Sequence, residues 1–269
     1  MANSLLTRWL TGLIFAAVIF VIIVFAPPVI LALLIALIAA GGIWEYNNIV
    51  FGKGFLTQKI EGTFFAVLIP LIVYFGDSQV LLAALAFCVL ATFIIFLGSV
   101  KEEFFDVMSV AKVIFGLMYI PFLLSHFILL RGLDQGVLWV LFVLVLAFAG
   151  DITALYIGKY FGKHKLSPLI SPGKTVEGTI GLFLGSTVAC LIFGYLLFPG
   201  VSLLKIGILA FIGSIIGQLG DLCESAIKRN YGLKDASSLL PGHGGLMDRL
   251  DCLLFIAPFV YYYRIYVIG

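Results

Sequence analysis

The chain has 269 residues, 62% hydrophobic and 11% charged, with a formal net charge of +2 and a mean hydropathy of +1.20. Soluble domains carry about 25% charge, so a globule in water could not hide this much apolar surface, and lipid must be much of its solvent. The apolar runs are continuous rather than alternating, which excludes barrel strands and leaves membrane helices; no nucleic-acid partner is expected.

An apolar run of about eighteen or more residues can cross a hydrocarbon core as a helix. Nine spans are expected, at roughly 9–26, 28–44, 61–76, 79–98, 111–130, 136–158, 178–198, 203–222 and 251–268. The fold class is therefore all-α: a polytopic integral membrane protein with about nine transmembrane helices. The first span has Arg8 on its flank, as a signal peptide would, but lacks a small-residue cleavage site and reads as a retained helix. Pro27-Pro28 ends that span and starts the next. The third, "GTFFAVLIPLIVYFG", is short and interrupted by Pro70.

Nine spans place thirteen of the sixteen Lys and Arg residues on one side or at its edge, leaving only Arg131, Lys205 and Arg264 on the other. Basic residues favour the cytoplasmic side, so the N-terminus is expected inside and the C-terminus outside. The expected location is the cell inner (plasma) membrane, with multiple passes. The chain divides into N-terminal scaffold helices, 1–147, and C-terminal helices with cytoplasmic-face loops, 148–269, within one integral membrane unit. Cys88, Cys190, Cys223 and Cys252 form no CxxC pair and read as small residues in or beside helices. The pairs Gly158/Gly162, Gly181/Gly185 and Gly213/Gly217 permit close helix packing, within the monomer in preference to a homodimer seam.

Polar residues gather in two islands. The first, "FAGDITALYIGKYFGKHKLSPLISPGKTVEG", covers 148–178. Asp151 lies inside the sixth apolar run, where an acid is a functional candidate by default. Lys159, Lys163, Lys165 and Lys174 follow, suited either to anionic headgroups or to nucleotide phosphates. "SPGKTVEG" is not a P-loop: Pro168 stands where that motif needs Gly, and a membrane helix precedes it. Lys174, Thr175 and Glu177 in this Gly-flanked turn remain candidates for phosphate or metal contact.

The second island, "DLCESAIKRNYGLKDASSLLPGHGGLMDRLDC", covers 221–252 and carries nine charged residues. Asp221, Glu224, Ser225 and Lys228 share one helix face by their spacing of three, four and seven. Asp248 and Asp251 open the last span. The turn "PGHGG" between them offers a way to bring Asp221 and Asp248 together. Carboxylates without Cys ligands suit Mg²⁺ rather than Zn²⁺.

The stretch Ser225 to Asp251 resembles the signature of the phosphatidate cytidylyltransferases, or CDP-diacylglycerol synthases. Its elements stand here as Ser225, Lys228-Arg229, Lys234-Asp235, His243-Gly244-Gly245, Asp248-Arg249 and Asp251. "SPGKTVEG" and the region of Asp151 are similar to that family as well. Over 1–147 the likeness rests on hydropathy alone.

The resemblance implies that CTP and phosphatidate react at the cytoplasmic face of the bilayer to give CDP-diacylglycerol and pyrophosphate. It implies Mg²⁺, with a second metal ion left open, held first by Asp221 and Asp248, with Glu224 and Asp251 as alternate or supporting ligands. Lys228, Arg229, Lys234 and Arg249 would hold phosphates. Asp235 would orient a cation, and Ser225 and His243 would donate hydrogen bonds. Asp151, Lys174, Thr175 and Glu177 are the candidates for further substrate contact. An ion-coupled transporter would instead place acids near the midplane of two repeated halves, and no repeat is visible. A CTP-dependent polyprenol kinase would share the nucleotide but not the whole signature.

Overall fold

The computed structural model describes residues 17–99, 106–237 and 244–269. Among them, eight helices are long and apolar enough to cross a membrane. Residues 17–25 are also helical; residues 9–16 of the first expected span lie outside the described residues. The membrane helices are α1 (Pro28–Phe51), α2 (Leu56–Tyr74) and α3 (Ser78–Ser99), then α4 (Met108–Leu117) continued by α5 (Leu123–Gly132). After these come α6 (Gly136–Phe161), α7 (Val176–Leu197), α8 (Leu203–Asn230) and α9 (Met247–Tyr263). A two-stranded antiparallel hairpin, β1 (Lys165–Ser167) and β2 (Ser171–Thr175), lies between α6 and α7.

The chain packs as two compact units. One comprises Met1–Gly132 with Asp235–Asp248, the other Leu133–Lys234 with Arg249–Gly269. The first of these boundaries falls between α5 and α6.

In the first unit, α1 begins at Pro28, whose missing amide is no loss at a helix start. It presents Ala32, Ala36, Ala39 and Ile43 to the interior and packs along α2. Pro70 sits within α2 without ending it. Pro121 has a larger effect: the span from α4 to α5 passes through a π turn at Met118–Phe122, where the ladder must accommodate the absent N–H. The Ser125 hydroxyl donates to the Pro121 carbonyl at 2.7 Å, and the Tyr46 hydroxyl donates to the Lys112 carbonyl at 3.0 Å.

In the second unit, α7 packs along both α6 and α8. Small residues let the backbones approach. A Cβ on Gly181 would stand 2.6 Å from Ile157, and one on Gly217 would stand 2.7 Å from Ile256. The glycine spacings are therefore used inside the chain. Trp139 stacks on Phe198 with ring centroids 4.3 Å apart, and the Arg264 guanidinium lies 5.6 Å from the Trp139 ring. Large apolar side chains such as Leu184, Val188 and Ile192 along α7 stay exposed, as expected of a face turned to lipid.

Candidate active site

The site grows from α8. Its apolar sequence conceals a polar stripe: Ser214, Gln218 and Asp221 are spaced by four and three and share one face. With Asp151 of α6 and Cys252 of α9 they line a narrow cleft of about 250 Å³ including its open mouth, walled by Leu146, Leu182 and Ile256. Sequence reasoning passed over Gln218. It is 7% exposed, and among the described residues its amide nitrogen has no hydrogen-bond partner. The signal was available: it is the one side-chain amide in the apolar run, one turn ahead of Asp221.

The hairpin brings the first polar island to the second. Lys174, on β2, forms an ion pair with Asp221, the two side chains being 22% and 28% exposed. Asp151 and Asp251 lie within electrostatic reach of Asp221 and of Lys174, and Arg249 acts on Asp151. Three carboxylates and two cations thus share one neighbourhood. Asp251 also accepts the Cys252 amide at 2.7 Å.

Other expected residues support this arrangement. Thr175 is the N-cap of α7 and accepts the Gly178 amide at 3.1 Å. Glu177, in the first turn, takes the amides of Lys163 and His164 at 3.0 and 3.2 Å and the His164 ring at 2.7 Å. Glu177 thereby ties the entry to the hairpin that carries Lys174 onto α7, while Thr175 starts that helix where the hairpin ends. One turn beyond Asp221, the buried Glu224 and Lys228 form an ion pair at 2.5 Å. Arg229 donates to the carbonyls of Ile170 and Leu233 at 3.1 and 2.9 Å, tying the end of α8 to the hairpin turn. Ser225 is half-buried, while Lys159, Lys163, Lys165, Lys234 and Asp235 are exposed.

Asp248 belongs to the first unit. Its carboxylate accepts the Gly245 amide at 2.7 Å and the Ala236 amide at 3.0 Å. His243 lies outside the described residues.

Among the described residues no three His, Cys, Asp or Glu side chains are arranged to hold a metal ion by themselves. The donor chemistry at Asp221 still fits a hard divalent cation, because the neighbouring acids are oxygen donors and the Lys174 ammonium already stands where a cation is favoured. A site that lends one or two carboxylates and leaves the other positions to water and substrate phosphate is the usual arrangement for Mg²⁺.

The model of the cytidylyltransferase family matches residues 6–267. The phosphatidate cytidylyltransferase of Bacillus subtilis (strain 168) is 38% identical over 189 residues, 70% of this chain and 68% of that protein. The phosphatidate cytidylyltransferase of Staphylococcus epidermidis (strain ATCC 12228 / FDA PCI 1200) is 34% identical over 264 residues, 93% and 95% of the two chains. The uncharacterized protein YnbB of Escherichia coli (strain K12) is 41% identical over 160 residues, 58% and 53% of the two.

Proposed function

Because the chain belongs to the cytidylyltransferase family, we propose that it joins CTP to phosphatidate, releasing pyrophosphate and leaving CDP-diacylglycerol in the membrane. The observation that carries this reading is the ion pair between Lys174 of the hairpin and Asp221 of α8, at a cleft where Asp151, Ser214 and Gln218 face apolar side chains. A lipid phosphate and a water-soluble triphosphate need such a boundary, with charge on one side and hydrocarbon on the other.

In the proposed reaction a phosphatidate phosphate oxygen attacks the α-phosphorus of CTP. A new phosphorus–oxygen bond forms there, the bond to the β-phosphate bridging oxygen breaks, and pyrophosphate leaves. The nucleophile is already anionic, so alignment and charge cancellation matter more than a base. Lys174, paired with Asp221, and Arg249, which acts on Asp151, would hold phosphate oxygens. Gln218 would donate its free amide N–H to whichever oxygen enters the cleft. The half-buried Ser225 hydroxyl is a second donor. Lys234 would hold a phosphate, and Asp235 would orient a cation.

A divalent cation, Mg²⁺ by its oxygen donors, would be held at Asp221 with Asp151 or Asp251 and would offset charge on the phosphates when bound. Glu224 and Asp248, the other proposed ligands, are engaged with Lys228 and with backbone amides respectively, so a metal at either would compete with those contacts. The uneven placement of Lys and Arg supports a cytoplasmic-facing cleft in a plasma membrane.

The test uses purified protein, phosphatidate and CTP labelled at either the α- or the γ-phosphorus. The expected result is α-label in the lipid and γ-label in pyrophosphate. Lipid carrying γ-label, with CDP released, would replace this reading with a lipid kinase.

A further inference from the structure

Glu45 lies on α1, in the half of the chain to which the signature assigns no role. It is 4% exposed. Its carboxylate reaches residues about two hundred positions later. Oε1 accepts the Ser237 hydroxyl at 2.5 Å and the Leu246 amide at 2.9 Å, and Oε2 accepts the Met247 amide at 2.8 Å. All four residues belong to the first unit.

Each contact has a physical cause. Leu246 and Met247 begin a helix, so their N–H groups have no partner within it and favour an anion. Hydrogen bonds to an ionised acceptor are short and strong, which offsets the cost of burying the carboxylate. The carboxylate fits only because residue 245 has no side chain. A Cβ there would stand 2.7 Å from Glu45 Oε2, 2.9 Å from the Ser237 amide and 3.0 Å from the Ala236 Cβ. The neighbouring Gly244 has φ +80°, and Asp248 closes the same loop through Gly245 and Ala236. Two carboxylates therefore grip the ends of one segment, and the glycines of the signature are the residues over which they close.

We infer that Glu45 is a positioning residue: it fixes Ser237 against residues 245–247, and with them the placement of Asp235 and Asp248. Its role in turnover rests on the cytidylyltransferase reading; its role in holding the segment does not. The two are separated by measuring both turnover and amide hydrogen exchange on the full chain in detergent.

Glu45→Gln keeps the shape but turns an amide N–H toward a backbone N–H. It is expected to lower kcat for CDP-diacylglycerol formation by about ten- to hundredfold, with KM for CTP changed less than threefold. Exchange at 244–248 should rise at least tenfold, while 28–44 stays protected. Glu45→Asp, which retains charge, should recover part of both effects. Ser237→Ala should cost a few-fold in kcat alone and add little to Glu45→Ala, as coupled partners do.

Unchanged exchange at 244–248 in Glu45→Gln overturns the inference. So does full additivity of Ser237→Ala with Glu45→Ala. If Glu45→Gln does not fold, Glu45→Asp and Ser237→Ala give the same two readouts. If the unsubstituted protein makes no CDP-diacylglycerol yet exchange responds as expected, the assigned reaction fails and the positioning role stands.

Discussion

Replacing Lys174 with Met separates what the ion pair does for the fold from what it does for the chemistry. Two unit charges about 4 Å apart attract by about 4 kcal/mol at an effective dielectric of 20. Lys174 and Asp221 are 22% and 28% exposed, so both are largely withdrawn from water and part of that attraction offsets their desolvation. The net loss on deleting the cation is then about 1–3 kcal/mol, between the values for exposed and buried pairs. Losing a preorganised positive group at a phosphate in the transition state costs about 3–4 kcal/mol, or about 100- to 1,000-fold in rate. Lys174→Met should therefore lower the Tm of the detergent-solubilised protein and reduce kcat/KM by at least about 100-fold at a temperature where it is fully folded. Adding Asp221→Asn removes the uncompensated carboxylate and should restore Tm without restoring turnover. The assay is transfer of α-labelled cytidylyl groups to phosphatidate, beside a thermal melt of the same samples. Folded Lys174→Met with more than a tenth of normal kcat/KM would show that the ion pair serves only the structure.

Asp221→Asn and Asp248→Asn are each expected to abolish turnover in folded, membrane-inserted protein, measured in the same assay; near-normal activity of either removes that residue from the chemistry. Gln218→Leu fills the same space without an unsatisfied amide, so Tm should hold or rise while kcat/KM falls about tenfold, the scale of one lost hydrogen bond at about 1.4 kcal/mol. Unaltered turnover would assign Gln218 to packing alone. Single cysteines at Lys163 and Gly269, in a background with Cys223→Ser, should be labelled from opposite faces of sealed vesicles, Lys163→Cys from the cytoplasmic one. Labelling of Lys163→Cys from outside refutes the charge-based orientation.

The helices beyond Pro28 were legible because lipid exposure imposes long uninterrupted apolar runs, and Pro27-Pro28 marks its break directly. The short third span extends as α2 to Leu56, since Lys59 finds Asn48 at 2.8 Å and can be buried. The π turn at Met118–Phe122 was not legible: in an apolar run no pattern of polarity records the helical phase. Nor was the hairpin, whose residues Lys165 to Thr175 alternate no more than a loop would. In the site, Asp151 and Asp221 stood out as acids in or beside apolar runs and Lys174 as a cation in a Gly-flanked turn, and the structure brings them together. Gln218 was masked by the apolar residues around it. Glu45 was masked differently: its partners at Ser237, Leu246 and Met247 lie far along the chain, and nothing local to "WEYNN" announces them.

The aromatic cluster at the start of α6 sets a depth for the chemistry. Trp139, stacked on Phe198 beneath Arg264, has the composition of a bilayer interface. Twenty residues of helix span about 30 Å, which brings the opposite interface near exposed Lys159. Asp151 then sits eight residues, or about 12 Å, short of that surface. Thinning of the bilayer where the cleft opens would bring water to a carboxylate at that depth. The cost of such thinning grows with hydrocarbon thickness, by fractions of a kcal/mol per Å. The acyl length of the surrounding lipid would then control how easily a headgroup descends to the proposed site, and vesicles of longer-chain lipid should slow the enzyme without any change in the protein.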